Sequence, residues 1–155
     1  MTNTNISEKE RYIITDLQDQ EKLCIEKYGK NEDQAKDPVL KDLFGTIMQD
    51  EQKHYDSLGQ LLSGTVPSVS SGGTTTMNYS PTATYTSGGN VTDKDSDNFL
   101  CTDAISTEKY VASAYNFDLF QFGDTNVRKL LNDIQTEEQG HAEKIYKYKT
   151  VNQMV

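Results

Sequence analysis

The sequence predicts an all-α fold, an antiparallel four-helix bundle built from two duplicated helical hairpins with a long crossover linker. Three observations carry that expectation. The phrase Glu-x6-Tyr-x22-Glu-x2-His is written twice, from Glu21 to His54 and from Glu108 to His141, at an offset of 87 residues. Around it, residues 15–59 align without a gap on residues 102–146 with twelve identities in 45 positions, as expected of a duplicated supersecondary unit. Between the copies, residues 63–96 are dominated by Gly, Ser and Thr, with Gly72-Gly73 and Gly88-Gly89 pairs. Such a stretch buries too little apolar surface to order itself and reads as a flexible connection.

Each helix can be justified in turn. Helix 1, residues 7–35, presents Ile14, Leu17, Glu21, Cys24 and Tyr28 along one face at heptad spacing. It ends before Asp37-Pro38, a capping residue followed by proline at the first helical position. Helix 2, residues 38–62, presents Leu43, Ile47, Glu51, His54, Leu58 and Leu61. Helix 3, residues 97–122, presents Cys101, Ala104, Glu108, Val111 and Tyr115, and stops at Gly123. Asp124 then caps helix 4, residues 125–149, which presents Val127, Leu130, Ile134, Glu138, His141, Ile145 and Tyr148. Each stripe is apolar apart from an interruption near its middle by glutamate, joined in helices 2 and 4 by histidine. The whole, residues 1–155, is read as one domain with hairpins at 7–62 and 97–149.

Composition narrows the function classes. The net charge of -9 and the pI near 4.6 argue against nucleic acid and anionic membrane as partners. No apolar run is long enough to cross a bilayer, and Met1 to Asn5 has neither the basic nor the apolar part of a signal peptide, so a cytoplasmic location is expected. Cys24 and Cys101 form no C-x-x-C motif and read as small buried residues.

The interrupting residues should meet. The midpoint of Glu21 and Glu51 is residue 36, that of Glu108 and Glu138 is residue 123, and both fall on expected turns. In an antiparallel hairpin, residues equidistant from the turn share a level, and His54 and His141 sit one turn beyond their glutamates on the same face. Four ionised carboxylates in a dry core are prohibitively costly unless compensated. Two divalent cations bring +4 against -4, and one Glu from each of two helices with Glu-x-x-His from each of the others is the ligand set of di-iron and di-manganese bundles. The expected metal ligands are Glu21, Glu51, His54, Glu108, Glu138 and His141. The competing reading is a buried carboxylate–histidine network without metal. Tyr28 and Tyr115, two turns beyond their glutamates, either hydrogen-bond a ligating carboxylate or simply fill the core. Asp50 and Glu137 point about 100° away from the ligand face, toward solvent or toward a supporting role.

At this point the pattern resembles the ferritin-like superfamily, and within it the rubrerythrin branch. The resemblance implies two iron or manganese ions, held terminally by Glu21 and Glu108, bridged by Glu51 and Glu138, and completed by His54 and His141, with Tyr28 and Tyr115 bonding the ligands. It implies oxidoreductase chemistry on oxygen or peroxide, if the chain is an enzyme. The rubredoxin-like C-x-x-C pairs of full rubrerythrins are absent, and Val111 stands where their third helix supplies another carboxylate. Segments Asp16 to Leu62 and Asp103 to Met154 also resemble the Coat F family of bacterial spore coat proteins, through Glu21-Lys22 to Tyr28, Glu108-Lys109 to Tyr115, and the Glu-Gln pairs 51–52 and 138–139. That resemblance implies a spore coat location and spore coat proteins as partners. The alternative it carries is a structural coat protein whose metal site stabilises the fold or is vestigial, with Tyr79 and Tyr85 in an exposed linker serving contacts. The linker is also long enough for a homodimer in which hairpins are exchanged.

Overall fold

The structure, a computed structural model, describes residues 1–68, 78–86 and 89–155; residues 69–77 and 87–88, including Gly72-Gly73 and Gly88 of the expected linker, lie outside the described residues. Four long helices dominate: α1 (Glu8–Gln34), α2 (Pro38–Leu62), α3 (Val91–Asp118) and α4 (Thr125–Val151). A short antiparallel pair, β1 (Thr2–Asn3) and β2 (Thr65–Val66), closes the end from which α1 starts.

Local chemistry sets the helix boundaries. Ser7 and Glu10 form a reciprocal capping box at the start of α1. Asp37 caps α2 through Val39 N with Pro38 in the first turn, and Asp124 does the same for α4 through Asn126 N and Val127 N. The α-helical part of α3 ends at Asp118 and a single 3-10 turn, Leu119–Gln121, carries the chain to Gly123. Gly64 adopts φ +90 where the chain leaves α2 for β2, a conformation that strains any side chain.

One boundary corrects the sequence reading. α3 starts at Val91, six residues before residue 97, because Asn90 caps it through Asp93 N. The first turns, Val91 to Ser96, show no apolar stripe, so periodicity alone does not reveal them.

The helices pack as two hairpins, α1 on α2 and α3 on α4, and the hairpins meet through α1 with α3 and α2 with α4. Every residue of the four expected stripes is buried, the four glutamates and two histidines included. Gly45 on α2 leaves room for the Glu32 carboxylate of α1, which a Cβ there would meet at 3.1 Å.

Each hairpin is also tied to the segment that leads into the other one. The Thr4 hydroxyl, ahead of α1, donates to Asp124 Oδ2 at 2.8 Å, and the Thr84 hydroxyl, ahead of α3, donates to Asp37 Oδ2. The second tie is much the larger. Asp37 Oδ2 also accepts from Tyr148 OH at 2.5 Å, and Asn152 Oδ1 accepts from Thr84 N and Tyr85 N, each at 2.9 Å. Asp97, fully buried on α3, accepts from Lys36 N, Asp37 N and Tyr85 OH. Tyr79 and Tyr85 therefore are not free on an exposed linker: both are half-buried against the core, because their rings find apolar cover and the Tyr85 hydroxyl finds a carboxylate.

Candidate metal centre

The six expected ligands come together at mid-height of the four helices. Two groups of potential ligand atoms each lie within 4.8 Å of one another: Glu21, Glu51, His54 and Glu138 in one, Glu51, Glu108, Glu138 and His141 in the other. Glu51 and Glu138 belong to both. Exposure of the six residues runs from 0 to 3 %, so neither group is washed by solvent.

Geometry repeats across the two halves. His54 Nδ1 lies 2.9 Å from Glu138 Oε1, 3.6 Å from Glu21 Oε1 and 3.9 Å from Glu51 Oε2. His141 Nδ1 lies 2.8 Å from Glu51 Oε1 and 3.5 Å from both Glu108 Oε1 and Glu138 Oε2. The rings themselves stack with centroids 6.0 Å apart. Each imidazole thus turns Nδ1 to the carboxylate cluster and Nε2 away from it.

The outward nitrogens are held by the residues just before the shared glutamates. His54 Nε2 pairs with Glu137 Oε2, and His141 Nε2 with Asp50 Oδ2 at 3.1 Å. Asp50 and Glu137 are therefore not merely solvated. Each reaches from its own hairpin to the histidine of the other, which fixes the ring and raises the basicity of Nδ1.

The tyrosines cross over in the same way. Tyr115 OH donates to Glu21 Oε1 at 2.5 Å, and Tyr28 OH donates to Glu108 Oε1. Of the two readings open from sequence, the hydrogen bond to a cluster carboxylate is the one the fold adopts.

Burial and the mutual proximity of these groups set the electrostatics of the cluster. Burial, reinforced by Glu138, holds the carboxyl groups of Glu51 and Glu108 well above the usual range. Burial acts on Glu138 as well, but the adjoining Glu108 carboxyl and the His141 and His54 imidazoles outweigh it and hold this group well below that range. Burial also opposes charge on both imidazoles, yet the carboxylates around them win and push both upward. Glu21 Oε2, both oxygens of Glu51, Glu108 Oε2, Glu138 Oε2 and His141 Nδ1 are buried without a hydrogen-bond partner. For His141 Nδ1 and Glu51 the separation is short but the angles do not make a bond. Unpaired buried acceptors cost ~1–3 kcal/mol each, and donors of this kind facing one another are the set that hard or borderline divalent cations take.

Cys24 stands on α1 one turn past Glu21, and burial with the nearby glutamates keeps its thiol protonated. Cys101, beside Asp97, is pushed up to about 12 by burial. Both are free buried thiols. Asp97, Asn152 and Thr84 are the residues that sequence reasoning missed. They lie off the repeat, and their partners are as many as 68 residues away, so no local pattern marks them.

No helix among the described residues is long and apolar enough to cross a membrane. No curated protein and no solved structure matches the chain. Residues 96–153, the hairpin that carries Glu108, Glu138 and His141, match the Coat F domain.

Proposed function

We propose that the chain is a ferritin-like di-metal carboxylate protein, binding two iron or manganese ions and acting on oxygen or peroxide, in association with the bacterial spore coat. One observation carries the metal: two ligand groups that share Glu51 and Glu138 and leave six buried atoms unpartnered. On this reading Glu51 and Glu138, which belong to both groups, would be shared by the two ions, Glu21 and Glu108 would each hold one, and His54 and His141 would each offer Nδ1. Bound, the ions supply Lewis acidity and one-electron redox steps to a small oxidant. The chain's own contributions are positioning and insulation. Glu137 and Asp50 aim the imidazoles, Tyr115 and Tyr28 hold the terminal carboxylates, and the apolar stripes exclude water.

A second reading has its own support. Ligands at 0–3 % exposure leave a substrate little access, which suits a coat building block whose metal pair stabilises the bundle. The Coat F match over residues 96–153 agrees with a coat location under either reading.

Metal analysis separates them. Protein loaded with Fe(II) or Mn(II) and desalted should hold two ions per chain, and oxygen or peroxide consumption by the loaded protein supports the redox role. Two ions without consumption, together with a higher Tm, support the structural role. No bound ion and an unchanged Tm overturn both.

A further inference from the structure

The outward face of α3 is used by nothing described above. At 3.6 residues per turn, Phe99, Tyr110 and Phe117 fall within about 20° of one another around the axis, opposite the seam of Glu108. Phe120 continues the row just past the helix end. The four are 71 %, 68 %, 70 % and 75 % exposed, so among the described residues this face lies open. Charge is sparse on it. Asp95 and Lys109 are the only charged residues among the exposed positions of α3, and the half-buried Asp103 beside the row is paired with Lys27 of α1 at 3.1 Å.

The duplicated helix shares this row only in part. Tyr12 and Leu23, both exposed on α1, match Phe99 and Tyr110, but where α3 has Ser106, Ser113 and Phe117, α1 has Asp19, Glu26 and Lys30. On α1 the exposed apolar residues stand among charges, whereas on α3 the row runs on to Phe117 and Phe120.

We infer that this face is a docking surface for a second copy of the chain, with the two α3 helices antiparallel about a two-fold axis. Pairing Val91–Asp118 along its full length puts the axis between Ala104 and Ile105. In that register Phe99 of each copy lies opposite Tyr110 of the other, so the aromatic contact is made twice. Asp95 and Lys109 lie on the same flank of the row. The antiparallel register places each ~7.5 Å along the axis from its opposite charge in the other copy. Area agrees: aromatic side chains bury ~150–250 Å² each, so four at these exposures offer on the order of 500 Å². The Ser and Thr side chains between them extend that toward the ~800 Å² per partner of a stable interface. The copies carry -9 each, and a nearly uncharged face is where two acidic molecules meet with least repulsion.

Sedimentation velocity on the full chain tests this. The wild type should show a monomer–dimer equilibrium, and Tyr110→Asp or Phe117→Asp should weaken it at least tenfold with an unchanged circular dichroism spectrum. Tyr12→Asp, at a site 72 % exposed on α1, should leave it unchanged. A cysteine pair gives an independent readout, since Cys24 and Cys101 are buried. Phe99→Cys combined with Tyr110→Cys should form a disulfide-linked dimer on mild oxidation, and Phe99→Cys alone should not. A wild type that stays monomeric at high concentration overturns the inference. So does a dimer indifferent to the α3 substitutions, as an exchange of hairpins would be, or one linked equally well by Phe99→Cys alone.

Discussion

The two hairpins agree inside and disagree outside. Along their inner stripes Glu21 answers Glu108, Tyr28 answers Tyr115, and Glu51 and His54 answer Glu138 and His141, with every one of these side chains buried. Along their outer faces α1 exposes charged residues at nine positions from Glu8 to Asp33, whereas α3 exposes Asp95 and Lys109 only. An exposed substitution away from special features usually changes stability by less than ~0.5 kcal/mol, so outer faces drift freely or toward a partner. The inner residues are held because each completes a bond that begins in the other hairpin. Tyr28 needs Glu108, Tyr115 needs Glu21, and each histidine needs the acid of the opposite half.

That reciprocity can be broken deliberately. The largest effect should come from Glu51→Ala or Glu138→Ala, because each belongs to both ligand groups. Either should reduce two bound ions per chain to none by elemental analysis, while Glu21→Ala or Glu108→Ala should leave one. Unequal losses for Glu51 and Glu138 would show that the halves are not equivalent.

Next in size is the tie that holds the α3 leader. Asp97→Ala removes the acceptor of Lys36 N, Asp37 N and Tyr85 OH at a fully buried site. It should lower the unfolding free energy by about 3 kcal/mol in urea. Smaller again are Asp50→Asn and Glu137→Gln, which should each weaken metal affinity by ~10–100-fold. Similar factors for the two would mean that the orienting role is shared evenly between hairpins.

The pH dependence should reverse on metal loading. In metal-free protein Glu51, Glu108, His54 and His141 are all held above their ordinary values. Groups raised in the folded state contribute stability that is complete below their unfolded pKa and lost as pH rises through the folded one. Glu138, held low, opposes the others but is a single group. The Tm of the metal-free protein should therefore be higher near pH 5 than near pH 8. Loaded protein should behave the other way, since metal displaces those protons. The smallest change is Thr4→Val, which should cost ~1 kcal/mol through its single hydrogen bond to the Asp124 cap. Against Asp97→Ala, that difference measures how unequal the two leader ties are.

Much of this is legible in the sequence. Helix boundaries at Asp37 and Asp124 follow from capping chemistry, which is local, and the four stripes follow from a 3.6-residue period. The six clustered residues were legible for the same reason, helped by a repeat that states the pattern twice. The start of α3 at Asn90 was not, because its first turns carry no periodic apolar signal. Neither were Asp97 and Asn152, since a buried polar residue reveals itself only through the distant donor that satisfies it.

What the sequence by itself determined is the set of faces: which side of each helix is apolar, where glutamate interrupts it, and at what height. Those are properties of single helices and of spacing from a turn. Only the tertiary structure decided the pairings across hairpins. His54 with Glu137, His141 with Asp50 and Thr84 with Asp37 each join chemically ordinary residues. Their significance arises where two surfaces close, water leaves, and each polar group must find the partner that packing has put beside it.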